Sequence, residues 1–110
     1  MQVFFVETSE FTKRIVKLRL EDDLRDLQNE LVSQPTLGVL DPGACGLRKV
    51  RMRDRTRGQG KRFGARVHYL YVPHRETIYL LNVYAKDEQD ALTPDQKKKL
   101  CAAIRLLDAR

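Results

Sequence analysis

Phe63-Gly64-Ala65-Arg66-Val67-His68-Tyr69-Leu70-Tyr71-Val72 alternates along its length. Ala65, Val67, Tyr69 and Tyr71 fall on one side of an extended chain, and Arg66, His68 and Leu70 on the other. A period of two predicts a β-strand over 63–72 with one apolar and one mixed face. Leu47 to Arg53 repeats the pattern: Val50 and Met52 share one face, and Lys49, Arg51 and Arg53 the other. Thr77 to Ala85 is apolar almost throughout, as a central strand is. Pro73 and His74 make the turn between the last two runs.

Upstream, Gln2 to Glu7 reads as a short strand. Its continuous Val3-Phe4-Phe5-Val6 predicts burial on both faces. Thr8 or Ser9 caps a helix whose Phe11, Ile15 and Leu18 share one face. A second helix is predicted from about Glu21 to about Ser33, striped by Leu24, Leu27 and Leu31 and ended by Pro35. Thr36 to Gly46, with Gly38, Pro42, Gly43 and Gly46, reads as a loop. Asp54 to Arg62 is polar and basic, contains Gly58 and Gly60, and reads as a mobile loop. Thr93-Pro94-Asp95-Gln96 starts a last helix with a capping box, and Leu100, Ile104 and Leu107 mark its buried face. The order is one strand, two helices, three strands and a helix. It predicts a single α+β domain over 1–110 with a mainly antiparallel sheet.

A chain of 110 residues, 42% of them hydrophobic, has a real but small core and little room for a large internal cofactor. No cofactor and no membrane partner are expected, since no apolar run approaches the ~20 residues of a membrane span. Met1 to Glu7 is too short and too soon acidic for a signal peptide. Cys45 and Cys101 form no CxxC motif. They are read as structural, without a disulfide framework or zinc site, and as suited to a reducing cytoplasm.

The net charge is +6, and its placement is more informative than its size. The 19 residues from Arg48 to Arg66 hold nine basic side chains and one acid, Asp54, for a net of +8, while the rest of the chain carries −2. A focused, arginine-rich patch attracts phosphate backbones, whereas an ordinary solvated face mixes its signs. Lys49, Arg51 and Arg53 form a ladder of cations on one strand face, which Arg66 joins if the next strand pairs antiparallel. Lys86, after the following strand, closes the cleft from the side. Arg48, Arg53, Arg55, Arg57, Lys61 and Arg62 supply further contacts to RNA, those of the Arg55 to Arg62 loop at the rim. No group of Asp and Glu lies near the patch, so no metal site is expected.

Such a cleft suits phosphodiester cleavage in which RNA supplies its own nucleophile, the 2′-hydroxyl. Arginine stabilises the charge that develops on phosphate. Lysine moves protons where like charges push its pKa down. Arg51 and Arg66 are the candidate phosphate clamps, and Lys49 or Lys86 the proton-transfer group. His68 suits acid–base work by type but reads first as a half-buried packing residue. His74 reads as exposed. The tyrosines read mainly as core or cross-strand pairs, with Tyr84 kept as a candidate for stacking on a base. Lys97, Lys98 and Lys99 read as a solvated face.

Several pieces, in order, resemble the RelE superfamily of bacterial toxins and, within it, the HigB-type toxins of type II toxin–antitoxin modules. They are Val3-Phe4-Phe5-Val6-Glu7-Thr8, Gly46-Leu47-Arg48-Lys49-Val50-Arg51, the stretch from Gly58 to Tyr69, Ile78 to Glu88 and Leu92 to Gln96. The resemblance implies a RelE-like (microbial RNase-like) fold with two N-terminal helices and one C-terminal helix. It implies a metal-independent endoribonuclease that cuts mRNA on the ribosome, in the cytoplasm. It also implies a HigA-like helix-turn-helix antitoxin as partner. Lys49, Arg51, Arg66 and Lys86 match basic positions of the RelE-type site. Asp87 stands where RelE itself has a second basic residue, and no tyrosine follows near Leu92. Two other functions compete: a ParE-like gyrase inhibitor of the same fold, and a non-catalytic RNA-binding module.

Overall fold

A computed structural model describes residues 2–108. The chain runs β1 (Phe4–Glu7), α1 (Ser9–Leu18), α2 (Glu21–Ser33), β2 (Val39–Leu40), β3 (Arg48–Met52), β4 (Ala65–Val72), β5 (Thr77–Ala85) and α3 (Pro94–Asp108), with a 3-10 turn at Pro73–Arg75. The five strands form one sheet in the order β1-β5-β4-β3-β2. β2–β3, β3–β4 and β4–β5 are antiparallel, and β1–β5 is parallel. The sheet is therefore mixed, in an α+β domain.

Thr8 accepts the Phe11 N–H to cap α1. The predicted stripes are buried: Phe11, Ile15 and Leu18 on α1, and Leu24, Leu27 and Leu31 on α2. They cover one sheet face, where Val50, Met52, Ala65, Val67, Tyr69, Leu80 and Val83 meet them in one dry layer. The opposite face carries a smaller cluster, in which Leu70, Val72 and Leu81 pack under Ile104 of α3, with Ala44 and Leu47 alongside. Thr93 and Gln96 make the reciprocal bonds of a capping box at the start of α3.

Three expectations are corrected. β1 is not buried on both faces. It lies at the sheet edge, where Phe4 is 52% and Val6 45% exposed, and Phe5 alone of its apolar residues packs on the helix side. Among the described residues the cluster under α3 includes none from β1, so the face of β1 turned away from α1 and α2 is left uncovered. The 36–46 segment is not all loop, since Val39 and Leu40 pair with Lys49 and Arg48. Cys45 and Cys101 form a disulfide, which ties the 41–46 turn to α3, so cysteine usage gives no argument for a reducing cytoplasm. Their sequence separation of 56 hid a contact that only the return of α3 across the sheet creates.

β5 is irregular where it passes β4. Leu80 faces Tyr69 and Asn82 faces His68, so Leu81 is an extra residue. Among the described residues β5 also has no strand on its outer side past Leu80, the partner of Glu7. Arg14 donates to the Val83 carbonyl at 3.5 Å, and Glu88 accepts the Ala85 N–H at 2.9 Å. The two side chains pair at 2.6 Å, which holds Glu88 below the usual carboxylate range. This pair fixes the turn that carries Lys86.

Candidate functional site

The antiparallel register of β3 and β4 sets the site. Lys49 faces His68 and Arg51 faces Arg66. Arg66 in turn faces Tyr84, and His68 faces Asn82. The polar side chains of three neighbouring strands thus share the face that the α1–α2 layer leaves uncovered. Lys49, Arg51, Lys61, Arg66 and Lys86 line an open cleft of about 540 Å³, with Leu37 and Val39 as an apolar wall and Asp90 at the other side. All four candidate catalytic residues therefore stand together. Among the described residues Lys49, Arg51 and Arg66 have no ion-pair partner. Lys61 pairs with Glu30 at 2.8 Å, and Lys86 with Asp90 at 3.2 Å.

Arg66 is 5% exposed and is built into the frame. Its guanidinium donates to the carbonyls of Lys61 (3.1 Å), Arg62 (2.7 Å) and Ala65 (3.0 Å). Three of five N–H donors are thus spent on the backbone. Burial, then the neighbouring Arg51 charge, lowers its pKa. Gly64 starts this strand because nothing larger fits: a Cβ there would lie 2.2 Å from the Met52 carbonyl oxygen and 2.8 Å from that of Gly60. Its own carbonyl accepts the Lys86 N–H at 2.8 Å, which fixes Lys86 beside Arg66. On the far side, the Tyr69 hydroxyl donates to Pro35 O at 2.7 Å and accepts from Gly38 N at 2.9 Å. These bonds position Leu37 and Val39.

His68 is fully buried, and its Nε2 lies 3.1 Å from Asp41 Oδ2. Burial, helped by the charges of Lys49 and Lys97, lowers its pKa to about 4 against the pull of Asp41. It is neutral at pH 7 and packed, fully rather than half-buried, and lies across the strand pair from Lys49. Asp41 holds Lys97 at 3.7 Å as well, so Lys97 is not merely on a solvated face.

Several predicted contacts lie elsewhere. The 54–62 loop, expected to be mobile, is pinned to the helices. Buried Asp54 accepts from the Arg57 side chain at 2.9 Å, Arg57 reaches Leu18 O, and Arg55 bonds Asp23 and Asp26. Desolvation raises the Asp23 pKa despite the Arg55 charge. Arg55 and Arg57 are thereby spent on ion pairs within the chain. Arg48 shares the register face of Tyr69 and donates to Gly38 O, away from the cations. Arg53 lies past the end of β3, with Arg55, Gly58, Gln59 and Gly60. Arg62 is exposed and stacks its guanidinium over Phe63. Tyr84 is 1% exposed, so its ring is not open to a base. Its hydroxyl donates to Asp90 O at 3.2 Å, and burial raises its pKa.

The sequence reading missed Asp90, Leu37, Val39 and Asp41. For Asp90 a signal existed in its i+4 spacing from Lys86, while the others depend on which loop crosses the sheet. Among the described residues no three His, Cys, Asp or Glu side chains are grouped to hold a metal ion, and no helix is long and apolar enough to cross a membrane. Compared with the known protein families, the chain matches none.

Proposed function

We propose that this chain is an endoribonuclease toxin of the RelE/HigB kind, which cuts mRNA on the translating ribosome in the cytoplasm and is neutralised by a HigA-like antitoxin. The observation that carries the reading is a cation cleft in which Lys49, Arg51 and Arg66 have no ion-pair partner among the described residues. Lys49, Arg51 and Arg66 lie on adjacent strands in a face-sharing register, with Lys86 at the side. A row of cations on a sheet repels itself, and its members are stabilised when a phosphate lies among them.

The chemistry follows from the donor set. The 2′-oxygen attacks phosphorus, the bond to the 5′-oxygen breaks, and the products are a 2′,3′-cyclic phosphate and a 5′-hydroxyl. Arg51, which has no ion-pair partner among the described residues, turns its guanidinium to the non-bridging oxygens. Arg66 offers the donors its carbonyl partners leave. Lys49 or Lys86 takes the 2′-proton or returns one to the leaving oxygen. The ribosome supplies the in-line orientation that an open cleft of this width does not impose.

Primer extension on a reporter mRNA in a cell-free translation system tests this. Discrete cuts in codon register are expected, dependent on ribosomes and lost in Arg51→Ala. The Arg51 side chain makes no hydrogen bond among the described residues. Arg66→Ala should lose cutting too, but it also releases three carbonyls and is the weaker control. Intact message with translation running would sink the proposal. Salt-sensitive binding without cuts would then point to a binding module, and inhibited supercoiling to a gyrase target.

A further inference from the structure

The polar side chains lining the cleft are all donors, with one exception. Lys49, Arg51, Lys61, Arg66 and Lys86 have no acceptor atom, and Asp90 supplies the only carboxylate among the described lining residues. Asp90 is well exposed, yet it is placed. Its carbonyl accepts from the buried Tyr84 hydroxyl at 3.2 Å, and its Oδ1 lies 3.2 Å from Lys86 Nζ. The carboxylate and ammonium therefore stand side by side, across the cations from the Leu37–Val39 wall. Three strand spacings separate those sides, about 14 Å. A phosphate on the central cations would leave one neighbouring base by the apolar wall and the other by the Lys86–Asp90 pair.

We propose that the Lys86–Asp90 pair reads a guanine next to the phosphate held in the cleft. The inference rests on the RNA-cutting function proposed above and names the base it selects. A carboxylate accepts two parallel N–H bonds. Guanine has two adjacent donor groups, N1–H and the N2 amine, with O6 beside them to receive the lysine ammonium. Adenine, cytosine and uracil each offer a single donor group beside an acceptor, and a carboxylate repels that acceptor. In this arrangement Lys86 is a specificity residue, and Lys49 is left as the proton-transfer group.

Fluorescence anisotropy with the whole chain tests the pair. The probes are labelled 2′-O-methyl tetranucleotides, which resist cleavage, three uridines framing one guanine, inosine, adenine, cytosine or uracil. The guanine probe should bind about tenfold tighter than the adenine probe, with inosine, which lacks the N2 amine, in between. Asp90→Ala should bring guanine to within about twofold of uracil, without weakening uracil. Equal binding of all five probes, lowered throughout by Arg51→Ala, would overturn the guanine inference and leave the RNA cleft standing. So would an Asp90→Ala loss shared by every base. Absence of binding by any probe at low salt would overturn the cleft reading together with it.

Discussion

On one side of β4, Ala65, Val67 and Tyr69 pack into the apolar layer under α1 and α2, and only the Tyr69 hydroxyl makes polar contacts, to Pro35 O and Gly38 N. On the other side of the same strand, Arg66 and His68 are as deeply buried, but each is held by hydrogen bonds, to carbonyls or to Asp41. The first face derives its stability from area removed from water. The second keeps like charges together because the first face, a disulfide and a set of backbone contacts hold the frame. Stability and candidate function are thus separated by the pleat of one sheet.

The contrast is broken most severely from the dry side. Phe11→Ala, at a fully buried position, should cost about 4 kcal/mol in a urea titration. A loss under 1 kcal/mol would mean that the helix layer is not the main source of stability. On the other face the corresponding support is covalent. Cys45→Ser with Cys101→Ser, or reduction, opens a closure with a sequence separation of 56 and should lower stability by about 4 kcal/mol. An unchanged urea midpoint would show that the small cluster under α3 holds by itself.

The next effect is set by pH. The unfolded chain protonates its histidine near the ordinary value of 6.5, whereas buried His68 resists until about pH 4. The neutral form is favoured in the fold, so stability falls as pH drops through that window, by about 3 kcal/mol in all. Lys49 and Lys97 add to the resistance, and Asp41 opposes it. His68→Asn should flatten the pH dependence of the melting temperature between those limits; an unaltered slope would assign it to other groups. The smallest change is expected in the cleft itself. Arg51→Ala should move stability by no more than about 0.5 kcal/mol, and upward if at all, since it relieves repulsion from Arg66. A clear loss of stability there would place Arg51 in the frame rather than in the site.

The strands, the helices and the charged face were legible because they depend on periods of 2 and 3.6 residues, which any window of sequence displays. Lys49, Arg51, Arg66 and Lys86 were legible together because each lies on or just after one of three strands that follow one another in the chain. The 54–62 loop misled for a physical reason. Its glycines and charges fit a free loop, but buried Asp23 and Asp54, with Asp26 at the surface, answer Arg55 and Arg57. Charge composition counts cations without saying which are already paired.

What the sequence determined by itself was the α+β class, the two-sided character of the central strands and the concentration of positive charge, all properties of residues near one another in the chain. The tertiary structure alone decided that β1 is an edge, that Cys45 meets Cys101, that Arg66 is clamped by carbonyls and that Asp90 stands beside Lys86 in the cleft. The edge position, the disulfide and the shape of the cleft depend on which distant segments the sheet order brings side by side. That order is set by packing across the whole domain rather than by any local pattern.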